Sequence, residues 1–200
     1  MKLIYFQLGI LVLLTLSCHK RDGYNPIDVN AHEAQIPISE NSILEIGDFY
    51  KGGVVFFIDS TEKHGMVCSI HDQEKTLWGC EDFELIGANA TGIGSGLQNS
   101  LDIESQCDTT HAAASCINKT GEYNDWFLPS ISALNLISNN EDIINETANA
   151  YGGEYFSYQA YWSSNQSDDE NAYFKIMGTG NNTTTSNKNN PLRVRAVRLF

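Results

Sequence analysis

"NDWFLPSISALNLI" (Asn124–Ile137) sets the reading of the fold. Trp126 and Leu128 alternate with Phe127 as in a short buried strand, and Pro129 ends the extended run. Ser130 is placed to N-cap a helix reaching Asn139, with Ala133, Leu134 and Ile137 on one face. Packing and capping account for the whole stretch, so it reads as a fold element and not as a catalytic centre.

Outward from it, "GGVVFFID" (Gly52–Asp59) is a β-branched and aromatic run bounded by glycines and an aspartate, hence a strand. "HGMVCSIH" (His64–His71) reads as its hairpin partner across a turn near Ser60–Lys63. "THAAASCIN" (Thr110–Asn118) is helical by composition, and "AYFKIMG" (Ala172–Gly178) and "RVRAVRLF" (Arg193–Phe200) are strands. "TGNNTTTSNKNNP" (Thr179–Pro191) reads as an Asn/Thr-rich loop. Two main helices among mixed, mostly antiparallel strands with long loops make an α+β domain.

The first residues carry a separate message. Lys2 precedes an uncharged apolar run from Leu3 to Leu16, followed by Ser17 and Cys18, the pattern of a signal peptide and too short for a convincing membrane span. Thr15-Leu16-Ser17-Cys18 resembles the bacterial lipobox, with Thr15 standing where an apolar residue is usual. That resemblance implies a lipid anchor on Cys18, a membrane partner through the lipid, and a place in the cell envelope. His19, and not an aspartate, follows the cysteine, which points to the outer membrane. The organisation expected is a signal peptide over residues 1–17, a lipidated N-terminus and polar tether over 18–46 (with Pro26 and Pro37), and one domain over 47–200.

The chain has 12 basic and 25 acidic residues, a formal charge of −13. Removing residues 1–17 takes away Lys2 and no acid, leaving −14. Such a surface disfavours nucleic acid, sulfated glycans and anionic headgroups.

"GDFYKGGVVFFID", "HGMVCSIHDQ", "WGC", "GIGSGLQNS", "NDWFLPSISALNLI", "YWSSN" and "VRAVR" occur in this order. Together they resemble the Lcl C-terminal-like domain family (domain-of-unknown-function family 1566) over Gly47–Phe200. The resemblance implies a bacterial secreted protein or lipoprotein on the C-type-lectin-like superfold, whose members include a sulfatase-modifying branch. The superfold does not define an activity. Beyond Cys18, four cysteines admit three pairings, and an oxidising envelope favours two disulfides. The resemblance favours Cys80–Cys107, with Cys68–Cys116 second.

Motifs for chemistry fail on spacing. "GIGSGL" (Gly92–Leu97) has Ile93 and Leu97 where a nucleophile elbow needs glycines, and Leu97 where a dinucleotide fingerprint needs one. It reads as a flexible turn. Neither His64, Cys68, His71 and Cys80 nor Cys107, His111 and Cys116 has zinc spacing. "SDDEN" (Ser167–Asn171) offers oxygen ligands of the kind Ca²⁺ takes, although the triplets of calcium-dependent lectins are missing. No cofactor is expected, with Ca²⁺ as the exception to test. The sulfatase-modifying branch needs cysteines near the C-terminal end, and the last here is Cys116. No enzyme is expected.

Of the tryptophans, Trp126 and Trp162 sit in fold-marking motifs, so Trp78 is the candidate for exposure and ligand stacking. Arg193 and Arg195 would face one side of a final strand and Arg198 the other, paired with carboxylates. The ligand-binding surface is expected on Trp78–Leu97, Asn165–Asn171 and Thr179–Asn190, with Trp78, Asn165, Asp168, Asp169, Asn181 and Asn182 as contacts. The function expected is non-enzymatic binding of a glycan, envelope component or protein partner. The alternatives are a purely structural envelope protein and an undiscovered enzyme on the same fold.

Overall fold

The structure is a computed structural model that describes residues 43–156, 158–180 and 182–200. Cys18, expected to carry the lipid, the expected tether as far as Ser42, and Asn181 lie outside the described residues. Strands β1 (Phe49–Tyr50), β2 (Gly53–Ile58), β3 (Gly65–Ser69), β4 (Gln73–Thr76), β5 (Ala160–Gln166), β6 (Asn171–Ile176), β7 (Thr183–Asn187), β8 (Leu192–Val194) and β9 (Val197–Leu199) form two sheets. One has the order β1-β2-β3-β9, the other β4-β8-β5-β6-β7. All pairings are antiparallel except β5 with β8. Helices α1 (Gly96–Gln106), α2 (Ala112–Ile117), α3 (Ile131–Asn139) and α4 (Glu141–Ala150) lie between β4 and β5 in sequence. The class is α+β.

The hairpin of β2 and β3 forms because both strands are apolar on both faces. Val54, Phe56, Met66 and Cys68 pack with α3 and α4, while Val55 and Val67 pack with the tryptophans. A sheet covered on both sides needs a continuous apolar run, and that is what these strands show. Phe127 makes a bridge with Val197, and Ser130 Oγ accepts the Ala133 N–H at 3.2 Å, so the "WFLPS" stretch joins the sheet and caps α3.

Four expectations need correction. There are four helices, not two, among the described residues: "GIGSGL" is a 3-10 turn (Ile93–Ser95) running into α1, and α4 follows α3 directly. Gly96 is required by close approach, because a Cβ there would lie 2.6 Å from the Leu128 carbonyl oxygen. The Asn/Thr-rich loop contains β7, whose threonines suit an edge strand paired to β6. The run Arg193–Phe200 is not one strand. It breaks at Arg195 and Ala196 as the chain passes from the second sheet to the first, so Arg193 and Arg195 both reach Asp72 (2.8 Å for Arg193) while Arg198 grips Asp125 through two bonds of 2.6 and 2.7 Å. Finally, Cys68 and Cys116 are free and buried. They belong to different core clusters, on opposite faces of the first sheet, and cannot pair. Burial pushes the Cys68 thiol up to about 11 and the Cys116 thiol further in the same direction.

Candidate functional site: a loop pinned from beneath

Trp78 is fully buried, and its Nε1 donates to the Ser163 carbonyl at 2.7 Å. This corrects the expectation of an exposed stacking ring: a buried indole needs a partner for its N–H, and β5 supplies it from 85 residues away. Trp126 and Trp162 are buried in the same way, donating to Tyr123 and Thr76 carbonyls.

From Trp78 the chain leaves the core through Gly79 (φ +103°) and Cys80 (φ +51°). Cys80 is tied to Cys107 by a disulfide with a Cα–Cα distance of 5.4 Å, closing 27 residues. The loop that follows has almost no regular structure, yet side chains hold its backbone nearly residue by residue. Gln166 brackets Leu85, accepting its N–H at 3.0 Å and donating to its carbonyl at 2.7 Å. Gln106 does the same to Ile86 at 3.0 Å each. Asp102 accepts the Ala88 N–H at 3.2 Å, and both Asn99 (2.8 Å) and Asn165 (2.7 Å) donate to the Ala90 carbonyl.

Lys188 completes the set. It is buried, its ammonium lies 5.0 Å from the centre of the Trp78 ring, and it donates to the carbonyls of Cys80 (3.4 Å), Phe83 (3.0 Å) and Asp169 (2.8 Å). Burial pushes its pKa down, opposed by the carboxylates of Asp168, Asp169 and Glu84. Backbone groups that would pair in a ladder are satisfied here by α1, β5 and the end of β7.

The result is a fixed irregular loop. Of five non-glycine residues with positive φ among the described residues, three are in it: Cys80, Asp82 (φ +59°) and Ala88 (φ +53°). Each conformation costs of order 1 kcal/mol or more and persists because the surroundings enforce it. Held this way, the loop presents Phe83 (50 % exposed) and Ile86 (86 % exposed) to solvent. Exposed Asp82, Glu84, Asp169 and Glu170 lie on the same loop or the adjoining β5–β6 turn.

The other expected contacts have different roles. Asn165 is fully buried and bridges the Ile131 N–H (2.8 Å) to the Ala90 carbonyl, so it is a bracket and not a contact. Asp168 Oδ1 accepts from the Glu170 N–H (3.0 Å), the Asn171 N–H (2.7 Å) and the Asn171 amide (2.9 Å). Asp169 Oδ1 accepts the Glu170 N–H at 3.1 Å. One oxygen of each carboxylate, Oδ1, is thus taken by local N–H groups, and the Lys188 ammonium sits on the Asp169 carbonyl. Among the described residues no three His, Cys, Asp or Glu side chains converge to hold a metal. Asn182 is exposed at the start of the β7 hairpin, apart from this network.

Two buried titratable groups were open to a catalytic reading. His111 Nδ1 accepts the Ala114 N–H at 3.0 Å and so caps α2, while Nε2 faces Glu104 of α1 at 3.2 Å, so both nitrogens are taken up in joining the two helices. Asp72 is enclosed by Arg193, Arg195 and the Tyr161 hydroxyl (3.0 Å). Burial, followed by the Asp72 charge, pushes Tyr161 up to about 12.

No family model matches the chain, and no curated protein matches it. Among solved structures it is similar to a fimbrial protein from Bacteroides ovatus, with a TM-score of 0.53 and 14 % identity over 78 % of this chain and 48 % of that one. The likeness is one of fold, and the chain spans about half the length of that structure.

Proposed function

We propose that this is a non-enzymatic interaction protein of the bacterial envelope, lipid-anchored through Cys18, with a C-type-lectin-like domain of the Lcl C-terminal-like family. Its contact surface is the pinned loop. The observation that carries the reading is the exposure of Phe83 and Ile86 on a backbone immobilised by side chains from three elements. Apolar side chains on a preorganised loop lose little entropy on docking, which is how interface anchors act. The acidic surround selects a partner with basic groups around an apolar feature, and the net charge of −13 steers it inward. A basic segment of another envelope protein has that chemistry. The fold likeness to a fimbrial protein supports the envelope setting.

The test uses the full chain with a photo-crosslinking residue in place of Glu84, expressed in its own envelope. The expected result is one defined protein adduct, lost in the Phe83→Ser, Ile86→Ser double variant and weakened by salt. An adduct pattern unchanged by the double variant, or the absence of any adduct, favours a purely structural role.

A further inference from the structure

A second site lies elsewhere and shares no residue with the pinned loop. The junction of α3 and α4, with the segments carrying Phe156, Tyr158 and Gly178, encloses a cleft of about 620 Å³. That is the size of a small-molecule site.

Tyr158 forms its aromatic surface and is 78 % exposed. The ring rests against Gly178, whose φ is +75°: a Cβ at 178 would lie 2.5 Å from Tyr158 Cε1 and 2.7 Å from Cδ1. Any other residue at 178 would displace the ring. The fold gains little from an aromatic so exposed, yet the seat for it is built. Gly178 is itself fixed, its N–H donating to Glu141 Oε2 at 2.7 Å.

The opposite wall sets hydrogen-bond donors beside acceptors. Asn140 turns its amide back to the Leu136 carbonyl (2.9 Å), so no side chain caps α4. The first-turn N–H groups of that helix therefore have no side-chain acceptor. Asn139 and Asp142, both exposed, stand next to them. Glu141 is half buried, and burial raises its carboxyl above the ordinary value. The cleft is lined by carboxylates and amides and by no cationic side chain among the described residues.

We propose that this cleft binds a neutral oligosaccharide. A sugar hydroxyl both donates and accepts, so it needs donors and acceptors side by side, as Asn139, Asp142 and the start of α4 provide. The apolar face of a pyranose ring stacks on Tyr158. An acidic sugar would meet Glu141 and Asp142, while the ammonium of Lys175 behind them is buried and already committed to the Gly180 carbonyl and the Glu141 carboxylate. An apolar ligand would strip water from the wall and replace none of its hydrogen bonds.

The experiment is a titration of the full chain with chitotriose, mannotriose, xylotriose and maltotriose, each to ~10 mM, followed by backbone amide shifts. At least one should move the amides of 138–142 and 178. Tyr158→Ala, a surface change checked for fold by circular dichroism, should weaken that binding ~10-fold. The Phe83→Ser, Ile86→Ser variant should bind the same sugar as the parent does, which separates this site from the loop. Three results overturn the proposal: no shift at these amides with any of the four sugars, binding undiminished in Tyr158→Ala, or trigalacturonate binding as tightly as a neutral trisaccharide.

Discussion

Segments 77–92 and 178–190 both read as loops in the sequence, the first with three glycines among acidic and apolar residues, the second rich in asparagine and threonine. They are ordered by opposite means. The second makes a strand, and the β6–β7 ladder holds its backbone while Thr183, Thr184 and Thr185 stay exposed. The first has almost no ladder, and Gln166, Gln106, Asp102, Asn99, Asn165 and Lys188 hold its backbone from beneath. Irregular backbone is therefore no measure of mobility. A ladder spends only backbone groups, whereas pins spend side chains drawn from distant parts of the chain, so pinned order depends more on single residues.

The largest test of that contrast is the disulfide at the base of the loop. Replacing Cys80 and Cys107 together by serine should cost about 3 kcal/mol in urea unfolding, for a closed loop of 27 residues. Hydrogen exchange should accelerate at 80–90 and not at 183–187. Equal loss of protection in both segments would show that they are one cooperative unit and end the comparison.

Gln166→Ala comes next, because it strips a donor and an acceptor from buried Leu85 backbone groups. The expected loss is about 2 kcal/mol, again with exchange rising first around Leu85 and Gly87. Retention of parent protection there would mean that water or neighbouring pins substitute for it.

A smaller effect is set by pH. Burial lowers the His111 pKa below its ordinary 6.5, with the Glu104 carboxylate opposing, and the neutral ring caps α2 against Gly79 at the loop's base. The folded value lies below the unfolded one, so the unfolded chain takes the proton first. Stabilisation is complete above 6.5 and is lost as pH falls from there through the lowered folded value. The melting temperature should thus be level from about pH 7 to 8 and decline below 6.5, with the His111→Asn variant, which keeps a cap, losing that part of the decline. A parallel decline in both proteins assigns the pH response to other groups. Smallest of all, Thr184→Ala on the exposed face of β7 should change stability by no more than ~0.5 kcal/mol.

Much of the α+β architecture was legible in the sequence. The β2–β3 hairpin, the Ser130 cap, α3, β6 and the Cys80–Cys107 bridge follow from runs, caps and spacing that act over a few residues or from a resemblance carried by short motifs. Helix α1 was not, because it buries Gly96, Asn99, Ser100 and Ile103, and a face with one large apolar residue leaves no hydrophobic period. That same face explains the candidate site: its polar side chains point inward because the loop's backbone is there to receive them. No local signal marks Asn99, Gln106 or Gln166 as brackets, since each resembles an ordinary surface amide until its partner is known.

The sequence by itself determined which strands must be buried, where α3 starts, the charge of the surface and the unsuitability of the familiar catalytic motifs. These properties depend on each residue's own hydrophobicity, conformational preference or charge. The tertiary structure alone decided that Trp78 is enclosed, that Cys68 and Cys116 lie on opposite faces of a sheet, and that Lys188 holds the loop which bares Phe83 and Ile86. Each of these rests on a partner far away in the chain. Burial of a polar group is tolerable only when such a partner arrives, and arrival is a property of the packed fold.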